Sequence, residues 1–146
     1  MDIEHFGQRM VTLLPRMMRG FARRESNYLS RGKITIPQWG VLEHLSRDRE
    51  VPMNELARHL GITRPAATGL ADRLIAQGLV ARQGDRADRR VIRVRLTPKG
   101  RRVLDNIWNQ KRRMIQQVFG QISPADRAQY LSTLERVAQI LSEEPE

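Results

Sequence analysis

The stretch from Met53 to Val80, "MNELARHLGITRPAATGLADRLIAQGLV", limits the fold more than any other part of the chain. It reads as a short helix, a glycine stop at Gly61, a cap at Thr63 and a second helix that closes at Gly78. Two helices joined by so short a turn cannot lie as relaxed antiparallel neighbours, so they must cross steeply. Ala57 is small where the first helix meets the second, and Leu56, Leu60, Ile62, Ala67 and Leu70 are spaced to form the seam between them.

Directly after this pair, residues 79 to 96 alternate. Ile92, Val94 and Leu96 fall on one face, Arg93 and Arg95 on the other, and a polar tip runs from Gly84 to Arg89. The spacing predicts a hairpin with one buried face. A steep helix pair followed at once by a basic hairpin is the order of a winged helix-turn-helix.

The remaining segments read as helices. Ile3, Phe6, Met10, Leu13, Leu14, Met17 and Phe21 fit one helical face over residues 2 to 28, with Pro15 expected to kink that helix or open a new first turn. "SRGK" reads as a loop, and Thr35 with Gln38 has capping-box spacing ahead of a helix that carries Trp39, Leu42 and Leu45. Thr97 with Pro98 and Ser123 with Pro124 cap two further helices. Their apolar sets are Leu104, Ile107, Trp108, Ile115, Val118 and Phe119, then Leu131, Leu134, Val137, Ala138 and Leu141. The final "SEEPE" reads as a disordered tail.

Charge narrows the partner. In 146 residues Lys+Arg number 26 against 16 Asp+Glu, a net charge of +10 carried mostly by arginine. The planar guanidinium holds a phosphate or a guanine edge by two hydrogen bonds, so the expected partner is polyanionic. The chain has no cysteine, which excludes disulfides, thiolate metal sites and thiol sensing. His5, His44 and His59 are scattered without ligand spacing, so neither metal nor cofactor is expected. No apolar run spans a bilayer and the N-terminus lacks signal-peptide character, which predicts a cytoplasmic, soluble protein without a membrane partner. Nucleophile triads, paired carboxylates and phosphate loops are absent, and an enzyme is not expected.

The run "DRRVIRVRLTPKG", Asp88 to Gly100, resembles the wing signature of the MarR (multiple antibiotic resistance regulator) family: an Asp, any residue and Arg, then a strand ending in Leu-Thr-x-x-Gly. "NELARHLGI" and "DRLIAQGLV" resemble the helix-turn-helix segments that precede this wing. The resemblance implies a mainly α fold with a small β-hairpin wing and one domain over residues 1–146. Residues 35–97 would form the winged lobe, and 1–30 and 98–142 the dimerisation helices. It further implies a homodimer that reads a pseudopalindromic site in double-stranded DNA.

On this reading helix 64–77 enters the major groove, with Arg64, Pro65, Ala66, Thr68 and Gly69 toward DNA and Arg73 on a phosphate. The wing, 84–91, enters the minor groove: Arg90 is inserted, Asp88 orients its guanidinium through a bidentate pair, and Arg86 and Arg89 hold phosphates. Pro65 and Ala66 stand where the family commonly has hydroxyl residues, and Gly69 where it often has a basic one, so fewer base-directed hydrogen bonds are available. That departure sustains an alternative, a sequence-tolerant architectural nucleic-acid-binding protein. The resemblance also implies a repressor released by a small aromatic, phenolic or anionic ligand, for which Trp39, Arg16 and Arg23 are the candidate contacts.

Overall fold

The computed structural model describes residues 1–24, 31, 33–47, 50–84, 87–88 and 90–143. Among the described residues six helices and three strands follow in the order α1 (Ile3–Arg24), α2 (Ile36–Arg47), β1 (Val51–Pro52), α3 (Met53–His59), α4 (Arg64–Ala76), β2 (Val80–Gly84), β3 (Ile92–Leu96), α5 (Pro98–Phe119) and α6 (Pro124–Ser142). The chain divides into two compact units, Met1–Gln110 and Lys111–Glu146.

Local chemistry explains where the helices begin. The Thr35 amide donates to Gln38 Oε1 at 2.9 Å and the Gln38 amide to Thr35 Oγ1 at 3.3 Å, the reciprocal pair of a capping box. Thr63 and Ser123 accept from the amides of Ala66 and Asp126, with a proline in the first turn of each helix. The turn between α3 and α4 is made by Gly61 at φ 63°, and Gly78, at φ 72°, ends α4; a side chain at either position would be strained.

In the first unit α2, α3 and α4 pack on one another and on the sheet. Val41, Leu42, Leu45, Leu56, Ala67, Ala71, Leu74, Val94, Leu104 and Ile107 are at most 1% exposed, and Trp39, Leu60, Ile62 and Leu70 pack against this core half-buried. Each fully buried leucine contributes about 1.5–3 kcal/mol.

The sheet has strand order β1-β3-β2, antiparallel throughout, with Val80 paired to Leu96 and Gly84 to Ile92 at the ends of the hairpin. The third strand is a finding beyond the expected hairpin: Val51 and Pro52 pair with Val94 and Arg93. Two residues carry no readable alternation, and Pro52 suits an edge position because it has no N–H to donate.

Helix α1 continues through Pro15 from Ile3 to Arg24, so the proline opens no new helix. The rest of the expected segment up to residue 28, and residues 144–146 of the tail, lie outside the described residues. No residue of α1 or α6 is buried. Ile3, Val11 and Met18 on α1 and Leu131, Ile140 and Leu141 on α6 are exposed. In the second unit Arg127 ties α6 to the end of α5 by donating to the carbonyls of Phe119 and Ile122.

Candidate nucleic-acid interface

The five residues expected to face DNA lie on α4 between Arg64 and Gly69. Arg64, Pro65, Ala66 and Gly69 are exposed and Thr68 is half-buried; a Cβ added at Gly69 would meet no atom within 4 Å. The Thr68 hydroxyl donates to the Arg64 carbonyl at 2.9 Å, so its proton is used within the helix while its methyl group and remaining lone pair are left to a ligand. Arg73 is exposed in the last turn. The Thr63 side chain and carbonyl take up the amides of Ala66 and Ala67, and Pro65 has none, so the start of α4 is fixed and its exposed side chains are what it offers a ligand.

The wing lies between Gly84 of β2 and Ile92 of β3. Its Asp88 carboxylate accepts the Arg90 amide at 2.9 Å while the Asp88 carbonyl accepts the Val91 amide at 3.0 Å. The carboxylate meets Arg90 through the backbone, as the two-residue spacing of an Asx turn dictates, and so it shapes the loop that carries the arginine. The Arg90 side chain is exposed. Arg86 and Arg89, the expected phosphate contacts, lie outside the described residues.

Arg64 and Arg90, far apart in sequence, line the same cleft of about 210 Å³ together with Pro52, Met53, Asn54 and Val91. Among the described residues neither guanidinium has an ion-pair or hydrogen-bond partner of its own. Asn54 at the start of α3 was not legible as part of this surface, because only the antiparallel β1–β3 pairing brings its neighbour Pro52 beside the wing. An ion pair between Arg82 of β2 and Asp72 of α4 braces the wing against the helix. Both residues are substantially exposed, and the pair joins segments whose separation in sequence gave no sign of it.

The base of the wing is locked to the end of α4. Thr97 donates its amide to the Leu79 carbonyl at 3.1 Å and its hydroxyl to the Gly78 carbonyl at 2.7 Å, while Thr97 Oγ1 accepts the Gly100 amide at 3.0 Å. Lys99 adds a bond to the Gln77 carbonyl at 2.8 Å. The Leu-Thr-x-x-Gly run is therefore a clamp that satisfies the free carbonyls at the C-terminus of α4 and caps α5 at once.

Residues 33–91 match the profile of the MarR family. The chain is 31% identical over 91 residues to an uncharacterised HTH-type transcriptional regulator, YsmB of Bacillus subtilis, a match that covers 62% of this chain and 62% of that relative. A MarR family protein from Bacillus stearothermophilus shares its fold with TM-score 0.82 at 24% identity, over 98% of this chain and 100% of that one. The BpsR structure of Bordetella bronchiseptica, described in terms of regulation of DNA binding by 6-hydroxynicotinic acid, matches at 26% identity with TM-score 0.65, over 89% of this chain and 98% of that chain.

Of the expected effector contacts, Trp39 is half-buried against the core and Arg16 and Arg23 are exposed on α1. None of the three lines the Arg64–Arg90 cleft. His44 of α2 and His59 of α3 are not scattered as their sequence positions suggest: their rings stack at 3.8 Å between centroids, 23° apart. Among the described residues no three His, Cys, Asp or Glu side chains group as a metal site, and no helix is long and apolar enough to cross a membrane.

Proposed function

We propose that this chain is a sequence-specific, double-stranded DNA-binding transcriptional regulator. The observation that carries the reading is the placement of unpartnered Arg64 and Arg90 on one cleft, at the start of α4 and on the wing, in a chain of net charge +10. A strand of DNA backbone separates the two grooves. A helix start and a hairpin tip that share one basic cleft straddle that strand, with α4 in the major groove and the wing in the minor groove.

The exposed start of α4 offers Arg64 for a guanine edge and Ala66 and the Thr68 methyl for thymine. Arg90 supplies shape readout in the minor groove, Arg73, Arg86 and Arg89 hold phosphates, and Asp88 sets the loop. The apolar stripes on α1 and α6 support a homodimer that presents two lobes to a pseudopalindrome. Catalysis plays no part in this function.

Release of DNA by a small aromatic, phenolic or anionic ligand, with the chain acting as a repressor, extends the proposal. It is supported by the ligand named for the Bordetella relative, and Trp39, Arg16 and Arg23 are the contacts to test.

Selection of bound fragments from a randomised duplex pool tests the function. The expected result is a two-fold symmetric motif. Recovery without any motif supports a sequence-tolerant architectural protein instead.

A further inference from the structure

A second cleft, of about 380 Å³, opens where α2 ends, β3 ends and α5 begins, within the first unit. Three arginines from three elements, Arg47, Arg95 and Arg101, stand around it with one acid, Glu50, above Leu45 and Leu96. We propose that this cleft binds a small multivalent oxyanion, a phosphorylated or polycarboxylate molecule, at a site separate from the DNA-reading surface.

The cationic side chains of this cleft are not neutralised by its acid. Glu50 forms no ion pair with any of the three arginines, and among the described residues the guanidinium groups of Arg47 and Arg95 have no hydrogen-bond or ion-pair partner. Three guanidinium groups around one concavity repel one another, and that repulsion is relieved when a multivalent anion accepts their planar forks.

One fork is held in place beforehand. Arg101 donates to the carbonyl of Ser46 at 3.2 Å, which leaves other N–H groups of the same guanidinium for a ligand and reduces the entropy lost on binding. Arg47, in the last turn of α2, has a reason of its own in the helix dipole. Arg95 has none, since it is exposed on β3 and its guanidinium bonds to nothing among the described residues.

The site differs from the DNA cleft in position and in lining. β3 leaves the wing turn at Ile92, so Arg95 lies three residues, about 10 Å, along the strand toward the base of the wing. No lining residue is shared with the cleft that holds Arg64 and Arg90. The volume is at the lower end of the range for small-molecule sites, and the leucines give it a partly apolar floor.

The test is calorimetric titration of the full chain, free of DNA, with pyrophosphate and separately with citrate at constant chloride ionic strength. It therefore succeeds or fails independently of any operator. Saturable binding of either probe at one per chain is expected, and the preferred probe distinguishes phosphate from carboxylate chemistry. Arg95→Gln should weaken it about tenfold or more, by loss of charge-assisted hydrogen bonds. Glu50→Gln should tighten it about threefold by removing a like charge. Arg102→Gln, an exposed neighbour outside the cleft, should leave it unchanged. Absence of saturable binding by both probes, or equal losses from Arg95→Gln and Arg102→Gln, would overturn the proposal.

Discussion

Gly100 lies against the backbone of Leu79 so closely that a Cβ built on it would stand 2.0 Å from the Leu79 carbonyl oxygen. That carbonyl already accepts the Thr97 amide, so the clash falls on backbone held by the clamp at the base of the wing. Gly100→Ala must push the start of α5 away from the end of α4 and strain the Thr97 bonds to Gly78 and Leu79. The expected loss is about 3 kcal/mol of stability, read as a lower urea midpoint. An unchanged midpoint would show that the clamp yields freely.

Asp88 and Arg90 yield a sharper test than charge alone. Because the Asp88 carboxylate accepts the Arg90 amide, Asp88→Asn, which keeps an acceptor oxygen, should hold operator affinity within about threefold. Asp88→Ala should weaken operator binding by about 1 kcal/mol, since the turn loses its hydrogen bond. Arg90→Ala should cost about 1–3 kcal/mol on operator and much less on random duplex. Anisotropy titrations on both duplexes at several salt concentrations check this. If Asn and Ala at 88 proved equally damaging, the carboxylate charge would be what matters.

Arg82 and Asp72 should contribute little to stability and more to specificity. An exposed pair is worth about 0–1 kcal/mol, so either alanine variant should melt close to the parent. Both should nonetheless lower the preference for operator over random DNA, because β2 then moves independently of α4. Exchanging the two charges, Asp72→Arg with Arg82→Asp, should recover part of that preference. Recovery fading as salt rises would identify the pair as the cause.

What could be read in advance follows from the range over which each interaction acts. Thr35 with Gln38, Thr63 with Pro65, Thr97 with Pro98 and Ser123 with Pro124 are spaced within one helical turn, so the helix starts were legible and the structure repeats them. The buried seam at Leu56, Ala57 and Ala67 was legible because helical periodicity marks a face. The pairing of β1 with β3, the His44–His59 stack, the Arg82–Asp72 brace and the Asn54 lining each need two segments brought together by the fold, and no local pattern reports that. Asp88 is a different case. Its proximity to Arg90 was evident, but whether a short acid meets a neighbour's amide or its side chain is decided by the turn.

The terminal helices yield the last prediction. On α6 Leu131, Leu134, Val137 and Leu141 recur at helical spacing, and their exposures of 57%, 45%, 45% and 79% leave an apolar stripe wet in the single chain. Covering it with a second copy removes that area from water at about 25 cal/mol per Å², which favours association. Leu134→Glu with Val137→Glu places two like charges in the proposed seam, yet the Ser123 cap and the Arg127 bonds that hold the start of α6 are untouched. Sedimentation should show a dimer for the parent and a monomer for the variant, with helicity retained by circular dichroism. The monomer should bind random duplex through one lobe but lose tight operator binding. For the same reason, inserting about half a helical turn between half-sites that lie about ten base pairs apart should abolish tight binding by the parent. A parent that sediments as a monomer, or binding that survives the insertion, would rule out two lobes docked on one face of the duplex.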